Sequence, residues 1–384
     1  MAHAILSPSA ASRWLACTPS ARFEQSFDDK GSVFAQEGTL AHSLGELLIN
    51  YKLGRIKKTD YKKQLAKIAE SEYYSESMHE YCDGYATFVM EKFAEAQAKT
   101  KDAQIFLEVK LDMTKYVPEG FGTSDVVIVA DHTAFKIDLK YGKGVPVSAV
   151  QNKQLMLYAL GVLDKYEFLY AIDNIELTIY QPRIDNVESW SITVKELEHW
   201  AENELKPKAQ LAFDGKGEHV PGPHCGFCKG KAVCKALADS MLELAKHDFA
   251  EAKTLTDEEI SNIMSKTKMF TNWIESVNDY ALDQAINHGK QWPGYKVVEG
   301  RSNRKYIDES QVATKLLESG IKEESIYIKK LLSITALESE IGKKEFGVLL
   351  DGLIIKPQGK PTLAVESDKR PAFNSNDAAK KDFE

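Results

Sequence analysis

Nowhere in its 384 residues does the chain hold the roughly 18 consecutive apolar residues that a membrane-spanning helix requires. A secretory pattern is missing as well, since "MAHAILSPSAASRWLACTPSAR" has no charged stretch followed by an apolar one. The expectation is a cytoplasmic protein without a membrane partner. Cysteine is scarce and odd in number, five in all, which argues against a disulfide framework. Positive charge is in deficit: 49 Lys and Arg against 57 Asp and Glu give a formal charge of −8. Such a surface does not attract nucleic acid as a whole, so any polyanion has to be held by local basic patches or bound cations. No internal repeat is visible, which removes repeat arrays.

What is present is ordinary for a globular protein, 43% hydrophobic and 28% charged, with length enough for two domains. A short helix is expected around Ser9–Ala16. Leu40, Leu44, Leu47 and Leu48 form a helical stripe, and a longer helical stretch runs from about Tyr61 to Ala98. Three strand candidates follow, "QIFLEVKLDM", "GTSDVVIVA" and "TAFKIDLK", separated by short turn-forming segments as in an antiparallel meander. The helix "SAVQNKQLMLYALGVLDKY" leads to two more strand candidates, "EFLYAID" and "IELTIYQP", and to helix over 194–212. After a Gly/Pro-rich stretch with three cysteines come helices near 256–288 and onward to about 347, with a short strand candidate at "GYKVVEG". The expected division is 1–244, then a mainly helical domain over 245–365, then a polar, disordered tail over 366–384.

The stretch "FKIDLKYGKG" carries the chemistry. Alternation along a strand puts Asp138 and Lys140 on one face and Phe135, Ile137 and Leu139 on the other. A half-buried strand showing its polar face to water would read the same way. Asp125 weighs against that reading, because "GTSDVVIVA" places it beside four apolar residues. A buried carboxylate costs several kcal/mol unless it is paired or bound to metal. If these two strands are neighbours, Asp125 and Asp138 converge on one cation with Lys140 beside it. Oxygen ligands of this kind suit Mg²⁺ or Mn²⁺, which polarise a phosphoryl group and generate hydroxide, while a lysine orients that water.

Asp125, followed thirteen positions later by Asp138-Leu139-Lys140, resembles the core motif of the PD-(D/E)XK nuclease superfamily. Two flanking stretches resemble its RecB-like branch: "EGTLAH", carrying His42, and "QLMLY", carrying Gln154 and Tyr158. A lone helical histidine or a Gln/Tyr pair at i and i+4 is ordinarily packing; here order and spacing agree. Gly38 and Gly45 bracket His42 at helical spacing and would allow another element to approach.

The resemblance implies an α/β fold: a restriction-endonuclease-like core, with a mixed sheet flanked by helices, and a mainly helical C-terminal domain. It implies that His42, Asp125 and Asp138, with the Leu139 carbonyl, hold Mg²⁺ or Mn²⁺ and that Lys140 positions water. Gln154 and Tyr158 would orient the site or touch substrate. The implied activity is DNA phosphodiester hydrolysis on single strands or duplex ends, as an exonuclease beside phage replication or recombination proteins. The start of the chain also resembles an uncharacterised family of phages and prophages. Two alternatives stand: a non-catalytic nucleic-acid-binding or assembly factor that keeps the fold, and an RNA-directed nuclease.

Cys225, Cys228 and Cys234 lie in "HCGFCKGKAVC", and three thiols within ten residues point to metal. Spacing alone admits structural Zn²⁺, with His224 or His219 as fourth ligand, or an iron–sulfur cluster with Cys17. The resemblance favours the cluster. Some RecB-like nucleases, the AddB-like and CRISPR-adaptation ones, hold a 4Fe–4S group with one cysteine before the core and three after it. A cluster there would staple the two ends of the nuclease domain. Cys82, within a helical pattern, reads as a buried small hydrophobe. Two basic runs, 51–63 and 295–306, are candidate phosphate contacts or plain solvated surface.

Overall fold

The computed structural model describes residues 4–28, 33–247, 257–298, 307–327 and 331–354. Its centre is one five-stranded sheet: β1 (Gln104–Asp112), β2 (Phe121–Ala130), β3 (His132–Leu139), β4 (Ile172–Gln181) and β5 (Asn186–Thr193). Spatial order equals chain order. The first three strands form the antiparallel meander, β4 joins β3 in parallel, and β5 returns antiparallel. A parallel neighbour needs a crossover, because the chain must return to the strand's starting end.

Among the described residues, ten α-helices surround or follow this sheet as far as residue 288. Before it come α1 (Ala11–Ala16), α2 (Ser20–Phe23), α3 (Val33–Lys52), α4 (Lys58–Ala69) and α5 (Glu76–Lys99). The crossover is α6 (Lys153–Tyr166), and after β5 come α7 (Val194–Trp200), α8 (Lys206–Asp214), α9 (Lys235–His247) and α10 (Asp257–His288). Helices α3 and α5 cover one sheet face, where Leu44, Leu48, Met78 and Val89 meet Val126, Ile128, Phe135, Ile137 and Leu139. On the other face α6 packs with α1, α7 and α8, and Trp14, Leu155 and Leu160 meet Val127, Val129, Ala134 and Leu177. Each such side chain contributes about 1.5–3 kcal/mol by leaving water.

The mixed α/β architecture matches the sequence, with local differences. The helical stretch from Tyr61 breaks at Ser75, whose hydroxyl accepts from the Met78 N–H and starts α5 as an N-cap. "EFLYAID" is mostly the turn that ends α6: Leu169 and Tyr170 donate back to the Tyr166 carbonyl, and Phe168 and Leu169 face solvent. Only its last residues enter β4, and the strand beyond it is β5, which lacks a continuous apolar run. The described part of "GYKVVEG", 294–298, is irregular. The 366–384 tail and most of the second basic run lie outside the described residues.

The chain groups into two units, Met1–Asn287 and His288–Glu384; the sequence boundary after residue 244 falls inside α9. The second unit contributes α11 (Glu309–Glu318), α12 (Glu323–Ile326), α13 (Ile334–Ile341) and α14 (Lys343–Leu349). Among the described residues no helix is long and apolar enough to cross a membrane.

Candidate metal centre and cysteine cavity

Three carboxylates stand in one row across three strands. The β1–β2 register pairs Leu107 with Val126 and Val109 with Ser124, which sets Glu108 opposite Asp125. The β2–β3 register reaches Val126–Ile137, which sets Asp125 opposite Asp138 at the next step. Beyond that pair β2 and β3 stop bonding through their backbones, and the Leu139 N–H donates to the Asp125 carboxylate at 2.9 Å instead. The Asp125 side chain thus fills the gap where the two strands part. Its other oxygen faces Nδ1 of His42, from α3, at 3.3 Å.

Glu108 completes this end of the site. It adopts φ +46, a left-handed conformation unusual for a residue inside a strand, and the ladder skips it. His42, Glu108 and Asp125 each place a ligand atom within 4.8 Å of the others. A conformation of this kind costs of order 1–3 kcal/mol and persists where the surroundings impose it.

Asp138, at the inner end of this row, is 2% exposed and sits between two ammonium groups. Lys136 Nζ is 3.3 Å from one of its oxygens, and Lys140 Nζ is 2.9 Å from the other. Lys140 also donates to Gln154 Oε1 at 2.9 Å, and Gln154 reaches back toward Asp138 at 3.5 Å. Gln154 sits in the first turn of α6, where Asn152 caps the helix by accepting from the Gln154 and Leu155 N–H groups. One turn on, the Tyr158 ring lies over Lys136 at 5.1 Å. Gly122 makes room for that ring: a Cβ there would stand 2.9 Å from Tyr158 Cε1.

Charge in the cluster is mutually sustained. Burial works to raise the Asp125 carboxyl, but Lys136, His42 and the Leu139 N–H outweigh it and hold the group below the usual carboxylate range. Burial works to lower His42, yet Asp125 and its neighbours bring it above the ordinary imidazole value. Lys140 is penalised by burial and raised on balance by Asp138, so its ammonium stays charged. Burial and Asp125 both push Glu108 up.

Elsewhere in the first unit, Cys17, Cys225, Cys228 and Cys234 line one cavity with His219, His224 and Ser20. Cys17 Sγ is 3.9 Å from His219 Nδ1. Burial pushes the Cys228 thiol up to about 12 and raises Cys225. Neutral thiols of this kind ionise against a bound metal rather than spontaneously. The Ser20 hydroxyl is buried at the wall without a hydrogen-bond partner. Local contacts draw the two segments together: Glu24 accepts from the Lys229 N–H at 2.7 Å and pairs with Arg13 at 2.7 Å, and Thr18 donates to the Lys216 carbonyl.

The family described as "Protein of unknown function (DUF2800)" matches over residues 3–371. The chain belongs to the DUF2800 family. The match spans both units, so the DUF2800 sequence includes α11–α14 as well as the sheet. A solved structure titled "Crystal structure of SSO0001" is similar at 14% identity over 50% of this chain and 95% of that one, with a TM-score of 0.23.

The catalytic and metal-ligand candidates of this DUF2800 sequence fall in two places. His42, Asp125, Asp138, Lys140, Gln154 and Tyr158 gather at the sheet, and the four cysteines gather at the cavity. Of the two glycines flanking His42, Gly45 lies against Tyr85, where a Cβ would stand 3.1 Å from the ring, while Gly38 faces open space. Glu108 and Lys136 were not anticipated. Strand alternation puts Lys136 on the face of Asp138 and Lys140 without showing that the face is covered, and register across the meander puts Glu108 opposite Asp125 without showing its left-handed backbone.

Proposed function

We propose that this DUF2800 chain is a metal-dependent nuclease of the PD-(D/E)XK, RecB-like kind, cleaving DNA phosphodiester bonds at single strands or duplex ends in phage replication or recombination. The observation that carries the reading is the row Glu108–Asp125–Asp138 with His42 at one end and a charged Lys140 at the other. His42, Glu108 and Asp125 are a hard-donor set fitting Mg²⁺ or Mn²⁺, and Asp138 adds a carboxylate beside them. The bound cation would polarise the phosphoryl group and supply hydroxide at neutral pH.

The chain's own groups do the rest. Lys140, fixed by Asp138 and Gln154 at 2.9 Å each, presents a charged donor that orients the attacking water and opposes negative charge growing on phosphate. Gln154 holds that lysine. Tyr158, projecting from α6 with its ring over Lys136, covers the inner side of Asp138.

The cysteine cavity fits a 4Fe–4S staple. Four thiols converge from segments about 200 residues apart, with an unpaired buried hydroxyl at the wall. Tetrahedral zinc at about 2.3 Å would hold its sulfurs about 3.8 Å apart. Four thiols are a donor set for either group, and the resemblance to cluster-bearing RecB-like nucleases favours the cluster. Cys225→Ala is expected to lose the brown colour of anaerobically purified protein and lower its melting temperature. A fully coloured variant would remove Cys225 from the set, and zinc in stoichiometric amount without iron would replace the cluster.

The test of function is cleavage of end-labelled single- and double-stranded DNA and matched RNA, with Mn²⁺, with Mg²⁺ and with EDTA. Metal-dependent loss of DNA is the expected result. Cleavage of RNA alone would move the substrate class. Failure of folded, metal-loaded protein on all three would favour a binding factor.

A further inference from the structure

The buried Lys136 is the feature that neither the motif nor the metal grouping explains. Its side chain is wholly inaccessible, yet it belongs to the same strand face as Asp138 and Lys140. Its ammonium donates to the Ile137 carbonyl at 3.0 Å and to Asp138 Oδ1 at 3.3 Å, beneath the Tyr158 ring. A lysine costs several kcal/mol to bury in charged form, and a methionine of similar length would fill the space more cheaply. Here its partners are a carboxylate and a carbonyl, and it is foremost among the attractions that hold the Asp125 carboxyl below the usual range.

Phosphodiester chemistry at carboxylate clusters is done with one divalent cation or with two about 3.5–4 Å apart, the second clamping the far oxygen of the displacement. In this row Asp125 gives one oxygen to the backbone Leu139 N–H and the other to His42. Asp138 has an ammonium at each oxygen, Lys140 on the outer side and Lys136 on the inner. A carboxylate shared between two cations would therefore be Asp138, with the second cation in the place of Lys136. Sharing would require both Asp138 oxygens. One of them already faces a fixed positive charge on a side that water does not reach.

We propose that Lys136 stands in for a second metal ion and limits the site to one divalent cation. The inference rests on the metal-dependent reading above and deepens it: Lys136 is a positioning residue, acting through Asp138 and Asp125 rather than touching substrate. Its ammonium occupies the inner side of the carboxylate row, 3.3 Å from Asp138 Oδ1. The single exchangeable cation is then the one at His42, Glu108 and Asp125, and Lys140 serves on the outer side of Asp138. A compact ammonium suits this role better than a planar guanidinium, which needs partners for five donors.

The test is a Mn²⁺ titration followed by electron paramagnetic resonance and calorimetry, on wild-type protein and on Lys136→Met and Lys136→Gln. Wild type is expected to bind one Mn²⁺. Removing the fixed charge should tighten that binding at least about tenfold, as loss of a repelling neighbour in a low-dielectric site does, or admit a second ion. A merely structural lysine would give looser binding in the variants, because the site loosens with its support, and that result overturns the proposal. Two ions on the wild-type protein would overturn it on their own, without any variant having to fold, and would leave the nuclease reading intact. No binding to wild type would overturn this proposal and the metal reading together.

Discussion

Lys140→Ala is expected to abolish most metal-dependent cleavage while leaving the fold in place. Its side chain is the part of the Asp138 pair that solvent reaches, and its partners are Asp138 and Gln154 at 2.9 Å each. Removing it leaves Asp138 still facing Lys136 at 3.3 Å, so no carboxylate is orphaned. The loss of a positioned donor opposite developing charge costs about 10²–10³-fold in rate. The stability cost is about 1–3 kcal/mol, that of one charge-assisted hydrogen bond. End-labelled DNA assays beside thermal melts read both quantities. A variant that melts normally and cleaves at the wild-type rate would remove Lys140 from the chemistry.

Asp138→Ala should behave differently, with folding as the larger casualty. The substitution leaves Lys136 sealed in the protein without the carboxylate it donates to; the Ile137 carbonyl, the Tyr158 ring and the more distant charge of Asp125 remain to it. Breaking a buried pair from one side costs about 3–5 kcal/mol. For a folding unit of this size that corresponds to a fall of roughly 6–20 °C in melting temperature. Lys136→Met combined with Asp138→Leu should recover most of the loss, because replacing both charges by apolar groups removes the uncompensated ion. An unchanged melting temperature in Asp138→Ala would mean that Lys136 reaches water or another anion. Lost cleavage in Asp138→Ala therefore reports on chemistry only at temperatures where the variant is shown to be folded.

The meander and the crossover helix were legible because each rests on a local rule: alternation over "QIFLEVKLDM", turn residues between strands, a helical run after β3. Asp125 and Asp138 could be matched because two consecutive antiparallel strands are neighbours by default. The strand at 186–193 was hidden by its own chemistry, since "NVESWSIT" interleaves polar residues and lies at the sheet edge, where one side of the ladder is unpaired. "EFLYAID" misled for the opposite reason, being apolar enough for a strand while Phe168 and Leu169 sit in the turn after α6. Lys136 was passed over because alternation says which residues share a face and not what covers it. That face lies under α6, and only tertiary packing turns a polar stripe into a buried charge network. Glu108 depends on a backbone conformation, φ +46, that nothing in its immediate sequence demands.

The contacts of the N-terminal segment also set an order of events during synthesis. Arg22 donates to the Phe213 carbonyl, Thr18 to the Lys216 carbonyl, and Glu24 accepts from the Lys229 N–H, at sequence separations of 191, 198 and 205 residues. At about 5–20 residues per second, residues 13–24 leave the ribosome roughly 10–40 s before the segment they dock against exists. Throughout that interval Trp14 and Leu15, both core residues of the finished fold, have no α8 to lie on. The sheet and its crossover helix can assemble first, and the beginning of the chain is seated last.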